Sequence, residues 1–179
     1  MIAILYPQFY GVGGIARYLD SFLSNLPPGH PGLILITGDE GADGRTYPGV
    51  EIIHIPFTSN RSGLFIWSIK ARKILANLHK TGKVNSVNFH FPPLIPGLFL
   101  PSGIRMTLTA HTTYLGMSGG FYAKKYFDSP WGKTSILIKR VMEKFILNRA
   151  NNVVTLTEQG RREVLRYRYK GPITVIPNG

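Results

Sequence analysis

The chain has 179 residues, of which 44% are hydrophobic and 12% aromatic, a composition that suits one globular domain and is too apolar for disorder. It contains no cysteine, which excludes a disulfide framework and any cysteine-based metal site or nucleophile. The net charge of +12 is uneven: residues 1–60 carry net −3 and residues 61–179 net +15, so the basic part suits nucleic acid, acidic phospholipid or a pyrophosphate-bearing molecule.

The first half of the chain alternates apolar runs with helical periodicity. Strands are predicted at residues 2–6, 33–37 and 50–55, and helices at 15–26 and 62–80. Turn-forming residues separate them, such as the Pro-Pro-Gly that follows the first helix.

The second half continues the alternation. Strands are predicted at residues 86–90, 105–110, 152–156 and 173–176, and helices at 133–149 and 157–168. Residues 92–101 are interrupted by prolines and leave room for a short helix, and residues 111–130 are predicted to form a long loop. The pattern predicts an α/β fold: a Rossmann-like, doubly wound, mostly parallel sheet of about seven strands with helices on both faces.

The first candidate site is the glycine loop after the first strand. Gly13 and Gly14 open a helix, where glycine lets a ligand approach the backbone and the helix N-terminus offers N–H groups to an anion. The spacing does not match dinucleotide binding, because Arg17 stands three residues after Gly14. A tight strand-to-helix turn without a ligand remains the alternative.

The second candidate is His111, directly after the strand at residues 105–110. Ligands of open parallel sheets bind outside the carboxyl ends of the strands, so His111 is expected to face the same crevice as the glycine loop. His90 ends a neighbouring strand in the same way, which predicts two imidazoles beside one cleft. An ordinary hydrogen-bonded histidine is the alternative, and no metal site is predicted because no third ligand stands nearby in the sequence.

Several enzyme classes leave signatures that this sequence lacks. None of the nine Asp and Glu residues is paired at a strand end, as a two-carboxylate glycosidase would require. There is no Gly-x-Ser-x-Gly elbow and no Walker A loop. Nucleic-acid binding, which the charge suggests, is disfavoured because no helix-turn-helix, RRM, KH or zinc pattern occurs.

Two basic segments could contact an anionic membrane or acceptor. The helix within residues 131–149 carries Lys139 and Arg140, and its apolar stripe is predicted at Ile138, Val141, Met142 and Phe145. A sheet-covering helix with a solvated basic face is favoured over a membrane-surface helix. Lys124 and Lys125, which lie among aromatic residues of the predicted loop, are the better candidates for a membrane or acceptor contact.

The chain also shows no signal peptide, because its start lacks a basic region, and no run of ~18 apolar residues that could span a membrane. A cytoplasmic protein is expected, either free or peripheral on the inner face of the membrane.

Four segments together resemble glycosyltransferase family 4. They are Gly13-Gly14-Ile15-Ala16-Arg17-Tyr18 after the first strand, Val87-Asn88-Phe89-His90-Phe91, Thr107-Leu108-Thr109-Ala110-His111, and residues 151–158 followed by Val175-Ile176-Pro177-Asn178-Gly179. Their order and spacing over the whole chain, more than any single motif, carry the resemblance.

The resemblance implies the N-terminal, acceptor-side domain of a GT-B enzyme. Such an enzyme transfers a sugar from a nucleotide diphosphate to a glycan or lipid-linked acceptor, with retained configuration and without a metal or cofactor. By position, His111 would contact the donor sugar near the reacting carbon. The expected donor- or acceptor-binding residues are Gly13, Gly14, Arg17, His90, Thr112, Tyr114 and Thr157.

Residues 1–179 are expected to form one domain, with a hinge beginning near residues 176–179 and a donor-binding domain beyond it. Because the family's phosphate-neutralising groups belong to that second domain, the chain alone is expected to be inactive. The expected partners are a nucleotide sugar, an acceptor, the donor-binding domain and an anionic membrane surface. A freestanding nucleotide- or sugar-binding domain is the alternative, ahead of a basic nucleic-acid-binding module.

Overall fold

The computed structural model describes residues 1–118 and 130–177, and only the backbone of residues 130–133. These parts of the chain contain seven strands and six helices. The strands are β1 (Ile2–Leu5), β2 (Leu33–Gly38), β3 (Val50–Ile55), β4 (Ser86–Phe91), β5 (Arg105–Ala110), β6 (Asn152–Thr155) and β7 (Ile173–Val175). The helices are α1 (Gly14–Ser24), α2 (Arg61–Lys80), α3 (Ile95–Leu98), α4 (Tyr114–Met117), α5 (Pro130–Arg149) and α6 (Glu158–Arg166).

The strands form one sheet in the order β3-β2-β1-β4-β5-β6-β7. Pairing is parallel between β1 and each of β2 and β4, between β2 and β3, and along β5, β6 and β7. In this register, Ile4 lies opposite Leu35 on one side and Asn88 on the other. The predicted α/β, Rossmann-like sheet is confirmed, and its strand order reverses beside β1, where such sheets bind ligands.

Two predicted boundaries were wrong. Residues 114–117, placed in a long loop by the sequence, form helix α4, because the Thr113 hydroxyl accepts the Gly116 N–H at 2.8 Å and caps its first turn. Helix α5 begins at Pro130 rather than at residue 133, since proline is favoured in the first turn of a helix.

Helix α1 illustrates how the periodic apolar residues build the core. Ala16, Leu19 and Leu23 repeat at helical spacing and are buried. They belong to a cluster with apolar residues of β1 and β2 and their flanking loops: Ile4, Tyr6, Phe9, Leu33, Leu35 and Tyr47. This packing fixes the start of α1 against the carboxyl end of β1.

Helix α5 does not bury the apolar stripe that the sequence predicted. Ile138, Val141 and Phe145 are 54%, 63% and 53% exposed. Its buried positions include Glu143, Ile146 and Leu147. The prediction was wrong because apolar residues occur on more than one side of this helix, so spacing alone did not select the buried face.

The chain divides into two compact units. The first comprises Met1–His90 and Ile95–Met106, and the second Phe91–Leu94 and Thr107–Gly179. None of the helices in the described parts of the chain combines the length and apolar character needed to cross a bilayer.

Candidate functional site

The first unit contains a cleft of about 400 Å³, called here the glycine-loop cleft. The loops after β1, β2 and β3 form most of its walls, so it lies at the carboxyl ends of these strands. Its lining residues are Tyr6, Gln8, Tyr10, Gly11, Val12, Gly13, Ala16, Glu40, Gly41, Phe57 and Ser59. Its volume falls within the range of small-molecule sites.

Neither the backbone nor the packing requires glycine at Gly13 or Gly14. A Cβ atom at either position would meet no atom within 4 Å, and the φ of −178° at Gly13 is open to any residue. Gly13 is the N-cap of α1, and no side chain caps this helix. The space above these glycines therefore leaves the first N–H groups of α1 open to a ligand.

The polar side chains of the glycine-loop cleft form a short chain of hydrogen bonds. Gln8 Nε2 donates to Ser59 Oγ at 3.4 Å, and Ser59 Oγ donates to Glu40 Oε2 at 2.8 Å. Among the residues that the structure describes, no lysine, arginine or histidine lines the cleft, although the chain has 21 Lys and Arg residues. The charged group among these lining residues is therefore the carboxylate of Glu40.

The second unit contains a smaller cleft of about 230 Å³, called here the His111 cleft. It lies beside the ends of β5 and β6 and the start of α6. Its lining residues are Ala110, His111, Thr112, Thr113, Gly116, Leu156, Thr157, Gln159, Gly160 and Glu163. It thus brings together three residues predicted from the sequence, namely His111, Thr112 and Thr157.

His111 is held in this cleft as a neutral group. Its backbone N–H donates to the Phe91 carbonyl at 3.1 Å, which fixes the chain where it leaves β5. Burial lowers the pKa of the imidazole from 6.5 to about 4, so His111 is uncharged at neutral pH. A neutral imidazole carries one N–H donor and one nitrogen acceptor.

Glu163 fixes the segment that follows His111. Its carboxylate accepts the Thr113 hydroxyl at 2.6 Å and the Gln159 side-chain amide at 2.9 Å. Gly116 packs closely against it, because a Cβ there would lie 2.5 Å from Glu163 Oε2. The site therefore depends on a buried carboxylate and on a glycine that leaves room for it.

Glu143 fixes the same segment from helix α5. Its carboxylate accepts the Tyr114 N–H at 3.0 Å and the Tyr167 hydroxyl, and the residue is 2% exposed. Burial raises the pKa of Glu143 from 4.5 to about 7, against the lowering effect of the two hydrogen bonds. Two buried carboxylates, from α5 and α6, thus anchor the four residues after Thr112.

The other predicted site residues lie in different surroundings. Arg17 is exposed on α1. His90 is 2% exposed, its ring lies 5.8 Å from that of Tyr18, and neither of the two clefts includes it in its lining. Tyr114 packs its ring against Phe91 at 5.8 Å rather than lining the His111 cleft.

The predicted basic contacts are only partly described. Lys124 and Lys125 lie outside the described residues. Lys139 and Arg140 are half-buried on α5, and Lys139 Nζ lies 5.2 Å from the centre of the Tyr114 ring. A cation over an aromatic ring is a favourable contact, so Lys139 also packs on the segment after His111.

Several residues of the two clefts were not predicted from the sequence. Gln8, Glu40 and Ser59 are distant in sequence, but each follows the carboxyl end of a strand, which is the signal that could have found them. Glu143 and Glu163 leave no such signal, because a carboxylate within a helix usually faces solvent.

The fold is similar to that of solved glycosyltransferases. A sucrose-phosphate synthase from Thermosynechococcus elongatus matches with a TM-score of 0.61 at 16% identity, over 99% of this chain and 88% of that chain. The UGT2 of Phytolacca americana, solved in complex with UDP-2-fluoro-glucose and pterostilbene, matches with a TM-score of 0.59 at 12% identity, over 99% of this chain and 53% of that chain. The chain therefore has the Rossmann-like fold of GT-B glycosyltransferases and spans about half the length of UGT2.

The sequence itself identifies the family. The model of Glycosyltransferase Family 4 matches residues 12–179. The chain belongs to Glycosyltransferase Family 4, which confirms the resemblance seen in the four segments. No relative was found among curated protein sequences.

Proposed function

We propose that residues 1–179 form the acceptor-side domain of a retaining glycosyltransferase. The enzyme transfers a sugar from a nucleotide diphosphate to a glycan or lipid-linked acceptor. The observation that carries this proposal is His111, a neutral imidazole at the end of β5 in a cleft whose adjoining segment is anchored by two buried carboxylates. Membership of Glycosyltransferase Family 4 supports the reaction class.

The neutral state of His111 suits a role beside a reacting sugar. Glycosyl transfer develops positive charge on the sugar ring, which a protonated imidazole would repel. A neutral ring can instead hydrogen-bond a sugar hydroxyl, and its anchored segment holds that hydroxyl in one orientation. Thr112 and Thr157, which line the same cleft, supply further hydroxyl groups for the donor sugar.

The proposal includes a second domain that grips the nucleotide. The chain spans 53% of UGT2, which leaves room for such a domain in an enzyme of that length. We expect residues 1–179 alone to give no transfer, because leaving-group charge would lack a counter-charge. We also expect transfer without a metal ion, as the family resemblance implies.

The test is a transfer assay on the product of the whole reading frame that contains residues 1–179. His111→Ala is expected to lower kcat by about 100-fold or more, because the loss of one well-placed hydrogen-bonding group has effects of this size. His30→Ala, outside both clefts, serves as the matched control. EDTA should leave the wild-type rate unchanged.

Wild-type activity of His111→Ala would contradict the proposal. Tight binding of a nucleotide sugar by residues 1–179, without transfer by the longer product, would favour the freestanding binding domain instead.

We also propose that α5 contacts an anionic membrane on which a lipid-linked acceptor lies. Support comes from the face of α5 that exposes Leu137, Ile138, Val141 and Phe145 by 53–63%. Basic residues, including Lys144, lie on the same helix. Exposed apolar residues beside cations are typical of helices that lie on anionic bilayers.

Vesicle sedimentation tests the membrane contact. We expect binding to phosphatidylcholine vesicles that contain phosphatidylglycerol, weaker binding to phosphatidylcholine alone, and release by salt. Val141→Asp should abolish binding, whereas Leu165→Asp, at an exposed apolar position on α6, should not. Equal binding to both vesicle types would contradict an electrostatic contribution.

A further inference from the structure

The glycine-loop cleft differs in charge from the rest of this basic chain. All its lining residues fall between positions 6 and 59, within the part of the chain that carries net −3. Its charged lining residue is Glu40, an exposed carboxylate. A phosphate or pyrophosphate is normally bound by arginine or lysine, and neither occurs among the described residues of this lining.

We propose that the glycine-loop cleft binds an uncharged hexose unit of the acceptor, one of whose hydroxyl groups donates a hydrogen bond to Glu40. The inference rests on the proposed function and adds to it the chemical class of the acceptor unit in this cleft. It assigns a different substrate to each cleft, since the glycine loop then faces the acceptor rather than the donor phosphates.

Glu40 is oriented for such a contact. Its Oε2 atom accepts the Ser59 hydroxyl, which in turn accepts the Gln8 amide, so the carboxylate is held at the wall of the cleft. Within the described residues, its Oε1 atom has no hydrogen-bond partner. A sugar hydroxyl can therefore donate to Oε1 without displacing a protein group, in a charge-assisted hydrogen bond.

Arg45, a cation beside the cleft, is already paired with carboxylates. The Arg45 guanidinium lies 5.7 Å from the centre of the Tyr10 ring, which lines the cleft. It pairs with Asp20 at 3.0 Å and with Asp43, so two carboxylates balance its one charge. A bound phosphate would gain little from Arg45 and would face Glu40.

Aromatic rings supply the apolar side of the cleft. Tyr10 and Phe57 both line it, and Phe57 is 8% exposed. The Tyr10 hydroxyl bonds His54 Nε2 at 2.7 Å, and its ring packs edge-on to Phe9 at 5.1 Å, so the ring is fixed. A fixed ring opposite a few oriented polar groups suits a pyranose, which has apolar faces and hydroxyl edges.

The experiment is saturation-transfer NMR on the 179-residue chain with matched pairs of sugars. The probes are the methyl glycosides of glucose, galactose and mannose, and the 6-phosphate of each sugar. We expect at least one neutral glycoside to bind and its 6-phosphate to bind about fivefold more weakly, because the phosphate is repelled by Glu40.

Variants connect the result to the proposed contact. Glu40→Gln should lower the affinity for the glycoside about fivefold, because the charge-assisted hydrogen bond is removed. It should also narrow the difference in affinity between the glycoside and its 6-phosphate, because the repulsion is removed. Glu51→Gln, which removes an exposed carboxylate paired with Lys83 outside the cleft, should change neither.

The inference is overturned if no glycoside binds, if a 6-phosphate binds as tightly as its parent, or if Glu40→Gln has no effect. Any of these results, together with loss of transfer in His111→Ala, would leave the proposed function standing and reject only the acceptor class. Glycoside binding that depends on Glu40, together with full activity of His111→Ala, would support hexose binding in the glycine-loop cleft and reject the proposed role of His111.

Discussion

The two clefts are built in opposite ways. In the glycine-loop cleft, Gly13 is the N-cap of α1 and provides no side-chain cap, and the Glu40 carboxylate is exposed to a ligand. In the His111 cleft, Thr113 caps α4 and Glu163 is bonded to protein groups, with Glu143 anchoring the segment from α5. The first cleft leaves its polar groups open, whereas the second uses its carboxylates to hold its own backbone.

The difference teaches where each cleft gains its selectivity. An open carboxylate and uncapped N–H groups can form hydrogen bonds with the ligand itself, so affinity depends on where the ligand carries its own donors and acceptors. A backbone anchored by buried carboxylates is set before the ligand arrives, which favours orientation of a reacting group. Mutations of the second cleft should therefore affect stability more than mutations of the first.

The largest expected effect is on the pH dependence of stability in the second unit. Glu143 has a folded pKa of about 7, above its unfolded value of 4.5, so its contribution is full below pH 4.5 and is lost as pH rises through 7, by about 3 kcal/mol. His111 has a folded pKa of about 4, below 6.5, so its contribution is full above pH 6.5 and is lost as pH falls through 4. The two effects oppose each other between pH 4.5 and 6.5.

Single variants should reveal each effect in urea unfolding at pH 5 and pH 6.5. Between these values the slope of the unfolding free energy against pH should be more positive in Glu143→Gln than in wild type, because the opposing contribution of Glu143 is removed. The slope should be more negative than in wild type in His111→Ala, because the contribution of His111 is removed. If both variants keep the wild-type dependence of unfolding free energy on pH, burial does not shift the pKa values of Glu143 and His111 as proposed.

A smaller effect on stability distinguishes Gly116, which lines the His111 cleft, from Gly14, which follows the lining residue Gly13 of the glycine-loop cleft. Gly116→Ala should reduce the free energy of unfolding by about 1–3 kcal/mol, because its Cβ would displace the Glu163 carboxylate from Thr113. Gly14→Ala, where a Cβ meets nothing within 4 Å, should instead stabilise the chain by up to about 1 kcal/mol. Equal destabilisation by the two changes, measured by urea unfolding, would remove the distinction between the clefts.

The smallest effect concerns the cap of α6. The Thr157 hydroxyl accepts the Gly160 N–H at 3.0 Å, so Thr157→Ala should cost about 1 kcal/mol and Thr157→Ser should restore most of it. Thermal unfolding of the three proteins measures this. A loss of stability in both variants would show that the methyl group, and not the cap, matters.

The fold was largely predictable because its signals are local. Every predicted strand appears within about a residue of its expected bounds, since continuous apolar runs such as β2 are typical of buried parallel strands. The cap of α6 also follows a local signal, because Thr157 stands directly before Glu158 at the start of the helix. Helix α4 was missed because its four residues are too few to show a period.

The sites were less predictable because their residues meet only in the folded chain. His111, Thr112 and Thr157 were predicted and do line one cleft, although their roles remain a prediction. The anchoring role of the Glu143 carboxylate was not predicted, since its partners Tyr114 and Tyr167 stand 29 and 24 residues away in sequence. Spacing along a helix does not reveal that a carboxylate on it is buried.

The packing of Trp67 gives the chain an optical reporter. This indole is fully buried on α2, and its ring meets that of Phe57 edge-on at 6.5 Å, while Phe57 lines the glycine-loop cleft. A Trp131→Phe chain would keep Trp67 as its single tryptophan, because the sequence has two, and excitation at the red edge of the indole band would avoid its nine tyrosines. Any occupant that shifts the Phe57 ring would then change the emission of Trp67, and occupancy could be followed in real time without a label.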